Sequence, residues 1–221
     1  MELESYKKKN LSVVLELENL VQKNFSELAI EQEYQDSIMT FLNLVKLKDI
    51  PTYTHSLRVG LKSRELADYM HLDPKAMFYA GLLHDVGKCA VDSDSLKKVE
   101  GFNEKDMKKM MEHPKAGYYM LKGIHDFSAE IILRHHWFQE NGYPKRLPKS
   151  SIDYSKNTQE KIDHYAMMLS LVDFYDSMST RKNDKFGEVR LPEPAEVKQV
   201  LLIKHPSYTH EINCLYDGKI F

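Results

Sequence analysis

The sequence predicts an all-α fold, and two kinds of observation support this prediction. Apolar residues recur every three or four positions through most of the chain, most clearly in residues 3–28 and 159–178, which is the period of an amphipathic helix. Helix-start signals precede two further stretches, as Asp73 with Pro74 and as Asn103 with Asp106. The first pair is typical of an N-cap followed by proline, and the second of a capping box. We therefore expect a helical bundle connected by polar loops.

The composition is that of an ordinary globular protein. Hydrophobic residues make up 42% and charged residues 29% of 221 residues, and the net charge is −2, so no basic surface for a nucleic-acid polymer is expected. The amino terminus lacks the pattern of a signal peptide, and no apolar run approaches the roughly 18 residues that span a membrane. Two cysteines, Cys89 and Cys214, do not form a disulfide framework. We expect a cytoplasmic protein without membrane contact.

Two amphipathic stretches, residues 3–28 and 31–48, open the chain and carry no residues suited to chemistry. We interpret them as an N-terminal helical extension, residues 1–50, that covers the core or forms a homodimer contact. Residues 51–221 are expected to form the second unit of the chain.

A histidine, an aspartate and a lysine follow the apolar run of residues 76–83, in the order His84-Asp85-Val86-Gly87-Lys88. If the helix continues through them, His84 lies on the apolar face and Asp85 points about 100° away. Such a pair suits a metal beside the helix, or one carboxylate bridging two metals, while a buried hydrogen-bonded His–Asp pair is the alternative. Lys88 could bring a positive charge to a phosphate.

Further inward positions carry possible ligands. His55 heads an apolar stripe on its helix, although a single histidine there also fits a buried, hydrogen-bonded role. His113 precedes a proline that indicates a fresh helix start, and the preceding helix is expected to turn Met107, Met110 and Met111 inward. His135 and His136 end an amphipathic stretch, and Asp173 lies on the apolar side of the 159–178 helix. A carboxylate there should be neutral, paired or bound to a cation.

The candidate ligands share a position on the inner side of separate helical segments: His55, His84, Asp85, His113, His135, His136 and Asp173. Five imidazoles and two carboxylates are too many for one tetrahedral zinc ion. They fit two cations that share a carboxylate, and this mixture suits iron or manganese better than calcium or magnesium. Paired cations of this kind typically hydrolyse phosphate esters.

Other reactive side chains are interpreted as structural. Cys89 has no base at a recognisable spacing and is expected to be a core residue. The remaining histidines fall in polar or loop contexts, where surface positions are expected: His71, His125, His164, His205 and His210.

A set of motifs occurs in a fixed order between residues 51 and 181, namely Thr54-His55-Ser56-Leu57-Arg58-Val59, Leu83-His84-Asp85-Val86-Gly87-Lys88, His113-Pro114, His135-His136, Gly142-Tyr143-Pro144 and Asp173-Phe174-Tyr175-Asp176. In this order they resemble an HD-GYP domain, the branch of the HD phosphohydrolase superfamily that hydrolyses cyclic dinucleotides, chiefly cyclic di-GMP. The resemblance implies an all-α HD-domain bundle and makes residues 51–221 its catalytic domain.

The resemblance also implies roles for individual residues. His55, His84, Asp85 and Asp173 would hold one metal, and His113, His135 and His136 the other, with Asp85 bridging the two. Lys88 would contact the scissile phosphate or the attacking hydroxide. The resemblance thus implies that Lys88 and Asp85 are the catalytic residues. Lys88, Tyr143 and Arg181 would contact a nucleotide substrate. The implied cofactors are two divalent ions, iron or manganese.

The sequence departs from the family pattern around the paired histidines. The family loop runs HHExxDGxGYP, whereas this chain has Trp137 in place of the glutamate, lacks the Asp-Gly pair and is one residue shorter. Pro51 stands where members with a third metal carry a carboxylate, so two metals are expected. Besides a cyclic dinucleotide phosphodiesterase, the sequence leaves open a phosphohydrolase for another nucleotide and a non-catalytic nucleotide-binding signalling adaptor.

Overall fold

The computed structural model describes residues 2–96, 98, 103–150, 152–180 and 190–221, with side chains described from residue 11 onward. The described part of the chain contains helices and no β-strand, which confirms the predicted all-α class. Its α-helices are α1 (Glu2–Glu27), α2 (Gln32–Lys48), α3 (Ile50–Tyr69), α4 (Pro74–Leu83), α5 (Ser93–Leu96), α6 (Glu104–Met110), α7 (His113–Leu121), α8 (Asp126–Arg134), α9 (Lys156–Thr180), α10 (Pro194–Lys204) and α11 (Thr209–Asp217). Val86–Ala90 and Pro206–Tyr208 are 3₁₀ helices.

Capping side chains set the starts of several helices. The Asp73 carboxylate accepts from the backbone N–H groups of Lys75 and Ala76, and Asn103 and Asp106 form a reciprocal capping box, so both predicted signals are confirmed. The predicted inward orientation of Met107 is wrong, because its side chain is 44% exposed. Helix α6 has only seven residues, and its buried contact comes instead from the capping carboxylate of Asp106.

One hydrophobic cluster includes residues from both ends of the chain. Helix α3 packs against α4 and α9, and α8 packs against α4, α7 and α9. Buried residues of α1 and α2, such as Phe25 and Ile38, belong to the same cluster as Leu169 and Val172 of α9. The first two helices therefore cover the bundle that carries the candidate ligands. None of the described helices is both long and apolar enough to cross a bilayer.

A close backbone contact places the 3₁₀ helix Val86–Ala90 on α7. A Cβ atom added to Gly87 would lie 1.9 Å from the carbonyl oxygen of His113 and 2.5 Å from the backbone nitrogen of Gly117. Only glycine allows this approach. The contact brings the His84–Lys88 segment beside the first residue of α7, which is a candidate ligand.

Candidate metal centre

All of the predicted metal ligands converge at one place inside the bundle. His55 comes from α3 and Asp173 from α9, while His113 begins α7. His84 with Asp85 follows the end of α4, and His135 with His136 follows the end of α8. All of these side chains are buried except that of His136, which is partly accessible. Separate helix ends and helix faces thus direct a set of imidazoles and carboxylates toward a common centre.

The geometry around Asp85 differs from the predicted continuous helix. Helix α4 ends at Leu83, and the chain passes through Asp85 (φ −100°, ψ 6°) into the 3₁₀ helix Val86–Ala90. A 3₁₀ helix has three residues per turn, so side chains three positions apart align. This alignment places the Lys88 ammonium 2.6 Å from Oδ2 of Asp85.

One group of candidate ligands forms around His55 and His84. His55 Nε2 lies 3.0 Å from Asp173 Oδ1 and 3.2 Å from His84 Nε2. His84 Nε2 in turn lies 3.4 Å from Asp85 Oδ2. The facing atoms of His55, His84 and Asp85 are close enough to bind one ion together.

A second group forms on the other side of Asp85. His113 Nε2 lies 3.4 Å from Asp85 Oδ1 and 3.4 Å from His135 Nε2, and His136 completes the group. Asp85 therefore presents one carboxylate oxygen to each group of imidazoles. Asp173 also faces both, since its Oδ2 lies 3.9 Å from His136 Nε2.

The histidine rings are oriented by hydrogen bonds from the nitrogen that faces away from the centre. Because a carbonyl oxygen can only accept, Nδ1 is the donor and Nε2 of the neutral ring has a free lone pair. Three such bonds are present, His84 to the Gly81 carbonyl at 2.8 Å, His113 to Met110 at 2.6 Å and His135 to Ile132 at 2.5 Å. This is the orientation that metal-binding histidines typically have.

The ligand atoms of this centre are better placed to bind a cation than to form hydrogen bonds with one another. Lone pairs of neighbouring Nε2 atoms and carboxylate oxygens point at the same space, and Oδ1 of Asp85 is buried without a hydrogen-bond partner among the described residues. Burial lowers the pKa of His84, but the neighbouring Asp85 and Asp173 carboxylates outweigh burial and raise this pKa to about 10. The centre therefore favours a positive charge, which a metal ion provides in place of a proton.

The second group of imidazoles is poised to stay neutral. Burial lowers the pKa of His113 to about 3 and that of His135 to about 4. Burial also lowers the pKa of His136 well below its ordinary value. Neutral imidazoles are the form that binds a metal ion, so this group needs no deprotonation near neutral pH.

Asp176 and Arg58 also belong to the centre, although the sequence did not assign them. Asp176 Oδ2 accepts from His55 Nδ1 at 2.7 Å, and Arg58 donates to both carboxylate oxygens of Asp176 at 2.8 and 2.9 Å. The available signal was spacing, because Asp176 lies one helical turn after Asp173 on the buried face of α9. Asp176 is therefore a second buried carboxylate on this face, and a buried carboxylate requires a partner.

The loop after His136 returns the chain to the centre. Tyr143 is buried and its ring stacks on His136, with ring centroids 4.6 Å apart, whereas Trp137 is 43% exposed. The Tyr143–Pro144 peptide bond is cis. A Cβ atom on Gly142 would lie 2.2 Å from the Trp137 carbonyl oxygen, so glycine is required for this tight return. The proposed substrate residue Arg181 lies outside the described residues.

Two of the histidines expected at the surface are buried. His125 is 6% exposed and its Nε2 lies 3.0 Å from the Ser37 hydroxyl, and His205 is 0% exposed. Contacts between elements distant in sequence bury them, which local polarity does not reveal. The surface positions predicted for His71, His164 and His210 are confirmed. Cys89, predicted to be a core residue, is half-buried and packs against the edge of the hydrophobic core.

Comparison with known protein families identifies the family to which this chain belongs. Residues 52–178, more than half of the chain, match the HD domain family. The chain belongs to this family, and the helical fold and the paired His84-Asp85 residues are consistent with it.

Several curated relatives are similar to this chain. A cyclic di-GMP phosphodiesterase from Pseudomonas aeruginosa is 34% identical over 66% of this chain and 35% of that protein. A 3′3′-cGAMP-specific phosphodiesterase from Vibrio cholerae is 25% identical over 86% of this chain and 41% of that protein. The chain thus spans well under half the length of these relatives.

A solved structure supports the fold. The HD domain of the phosphodiesterase PgpH from L. monocytogenes, in complex with cyclic di-AMP, superposes with a TM-score of 0.55 at 16% identity. The match covers 81% of this chain and 94% of that domain. At this level of identity the likeness establishes the shared helical architecture.

Proposed function

We propose that this chain is a metal-dependent phosphodiesterase that hydrolyses a cyclic dinucleotide at a binuclear centre. The observation that carries the proposal is the position of Asp85, whose two oxygens face separate groups of imidazoles. One cation would be held by His55, His84, Asp85 and Asp173, and the other by His113, His135 and His136 with Asp85 bridging. The mixed imidazole and carboxylate ligands favour iron or manganese.

Two such cations, when bound, supply water activation and stabilisation of the charge on a phosphoryl group. The residues of the chain provide the rest. Lys88 is held 2.6 Å from Asp85 with its ammonium partly accessible, so it can stabilise the negative charge that develops on a phosphoryl oxygen. Arg58 and Asp176 hold the His55 ring in its orientation. Each of these groups is fixed before the substrate arrives, which avoids reorganisation during the reaction.

The substrate would enter beside the loop after His136. Tyr143 lines the centre through its contacts with His136 and His113, and the exposed indole of Trp137 is available to stack on a base. We propose Lys88, Tyr143 and Arg181 as substrate contacts. The relatives that act on cyclic di-GMP and 3′3′-cGAMP support a cyclic dinucleotide as the substrate class.

A panel of substrates tests this proposal. Manganese- or iron-loaded protein is incubated with cyclic di-GMP, cyclic di-AMP and 3′3′-cGAMP, and the products are separated by chromatography. We expect a linear dinucleotide or its monophosphates from at least one of them, and no product with metal-free protein. Absence of product from all three with fully loaded protein would contradict the proposal.

A second candidate is a phosphohydrolase acting on another nucleotide. The shortened loop, with Trp137 where the family carries glutamate, favours this alternative because loops at the mouth of a site set specificity. Nucleoside mono- and triphosphates included in the same panel distinguish the two activities.

A further inference from the structure

The C-terminal segment, residues 194–217, packs against the loop that follows the paired histidines. This segment comprises α10, the Pro206–Tyr208 turn and α11, and it lies beyond residue 178, where the match to the HD domain family ends. We refer to residues 137–144 as the 137–144 loop. Its Glu140 N–H donates to the Lys204 carbonyl at 3.4 Å, and the two side chains form an ion pair at 2.9 Å. The Phe138 ring meets the Tyr208 ring edge to face, with centroids 6.2 Å apart.

His205 forms the buried part of this contact. It is fully buried, and its Nε2 lies 3.3 Å from the Ser170 hydroxyl of α9. Gln139 of the 137–144 loop donates to the same hydroxyl at 3.4 Å. The Glu140–Lys204 ion pair is half-exposed, and exposed pairs contribute little. The buried contact through Ser170 and the Phe138–Tyr208 contact therefore dominate.

The far end of the 137–144 loop reaches the metal centre. The Gly142 N–H donates to the Gln139 carbonyl at 2.8 Å, and the Tyr143 N–H donates to the His136 carbonyl at 3.2 Å. These bonds close the loop on itself, and they connect Gln139 to Gly142 and Tyr143 to His136. Tyr143 stacks on His136, which places the end of the loop against a candidate ligand.

We propose that the C-terminal segment positions the 137–144 loop over the metal centre, with His205 as the positioning residue, and thereby sets how well the site fits its nucleotide substrate. The part of this statement that concerns substrate rests on the function proposed above. The part that concerns the loop does not.

The single tryptophan of the chain makes the loop observable, because Trp137 lies within it. Acrylamide quenching of tryptophan emission is compared for the wild type, His205→Leu and His205→Gln, all without substrate. The leucine removes the bond to Ser170, whereas glutamine can retain it with its side-chain amide. We expect stronger quenching in His205→Leu and recovery toward wild type in His205→Gln. His210→Leu, on the exposed face of α11, is the matched control and should not differ from wild type.

Kinetics test the link to substrate. With a nucleotide that the wild type hydrolyses, His205→Leu should raise KM about fivefold to tenfold. This is the effect expected if the displaced loop loses one substrate contact of hydrogen-bond strength. The metal content and kcat should change less. Gln139→Leu acts on the same hydroxyl from the loop side and leaves His205 in place, so it serves if His205→Leu does not fold. The effects of the two substitutions should not add in the double variant, since both bonds meet at the Ser170 hydroxyl.

Equal quenching and equal KM in the wild type, Gln139→Leu and any folded His205→Leu protein would overturn the proposal. Altered quenching with unchanged KM would show that the segment positions the loop but does not govern substrate fit. If the wild type hydrolyses no nucleotide, the proposed function fails, while the quenching comparison still decides whether the C-terminal segment positions the loop.

Discussion

His55 and Asp176 are joined by a hydrogen bond of 2.7 Å between the ring Nδ1 and the carboxylate Oδ2. The carboxylate is itself held by Arg58 through both of its oxygens. This arrangement fixes the tautomer of His55, so that its Nε2 lone pair faces Asp173 and His84. A partner of this kind orients a metal-binding imidazole and increases its basicity.

Replacement of Asp176 should weaken metal binding without removing a ligand. We expect Asp176→Ala to reduce the affinity for a divalent ion about 10- to 100-fold, the usual effect of losing such a partner. Asp176→Asn should lose less, because its side-chain oxygen can still accept from His55. Asp163→Ala, which removes a more exposed carboxylate from the same helix, is the control. Manganese titration calorimetry measures the affinities, and equal values for Asp176→Ala and Asp163→Ala would contradict the assigned role.

Replacement of Asp85 should remove both metals, because each group of imidazoles faces one of its oxygens. We expect Asp85→Ala to retain its helices by circular dichroism and to lose metal and activity together. Elemental analysis after reconstitution and dialysis makes the comparison. Wild-type metal content in a folded Asp85→Ala protein would exclude the bridging position.

Lys88 should affect the reaction and not the metals, since it contacts Asp85 but is not a ligand. Lys88→Met should keep its metal content, because removing a nearby positive charge does not disfavour cations. Its kcat should fall about 100-fold, as when a preorganised charge-stabilising group is lost from an active site. An unchanged kcat in the metal-loaded variant would remove Lys88 from the mechanism.

His205 should make stability depend on pH. Burial lowers its pKa to about 4, with a further lowering by Lys204 and opposing contributions from the Leu201 carbonyl and Asp173. The ordinary pKa is about 6.5, so between these values the unfolded chain binds more protons. Acidification from pH 6.5 toward pH 4 therefore destabilises the fold, by at most about 1.4 kcal/mol per pH unit for this group.

Urea unfolding at pH 7, 6 and 5 checks this sign. The free energy of unfolding should fall less steeply with acidification in His205→Gln than in the wild type, because glutamine does not titrate. Other buried histidines contribute equally to both proteins, so the difference isolates His205. Parallel pH profiles would show that His205 is not held neutral by the fold.

Much of the centre could be predicted from sequence because each ligand lies on an apolar face or at a helix end. His55 and Asp173 follow the helical period, and the proline after His113 indicates where α7 begins. The end of α4 was not predicted, because no glycine or proline lies between Leu83, where the helix ends, and Gly87. The break nevertheless leaves Asp85 between the two imidazole groups.

Features that depend on contacts between distant segments could not be predicted. Arg58 meets Asp176 across 118 residues of chain, and His205 is buried against α9 by the packing of α10. His205 and His125 were assigned to the surface because they fall in polar or loop contexts, which do not reveal burial by a distant element. Hydrophobic periodicity identifies the face of a helix that is buried, but it does not identify the partner.

The number of metal ions bound per chain decides whether the centre is binuclear. Metal-free protein is loaded anaerobically with manganese or ferrous iron, freed of excess metal and measured by elemental analysis against protein concentration. We expect about two ions per chain, because two ligand groups share one carboxylate. A reproducible content of one ion or less per folded chain would contradict a binuclear centre.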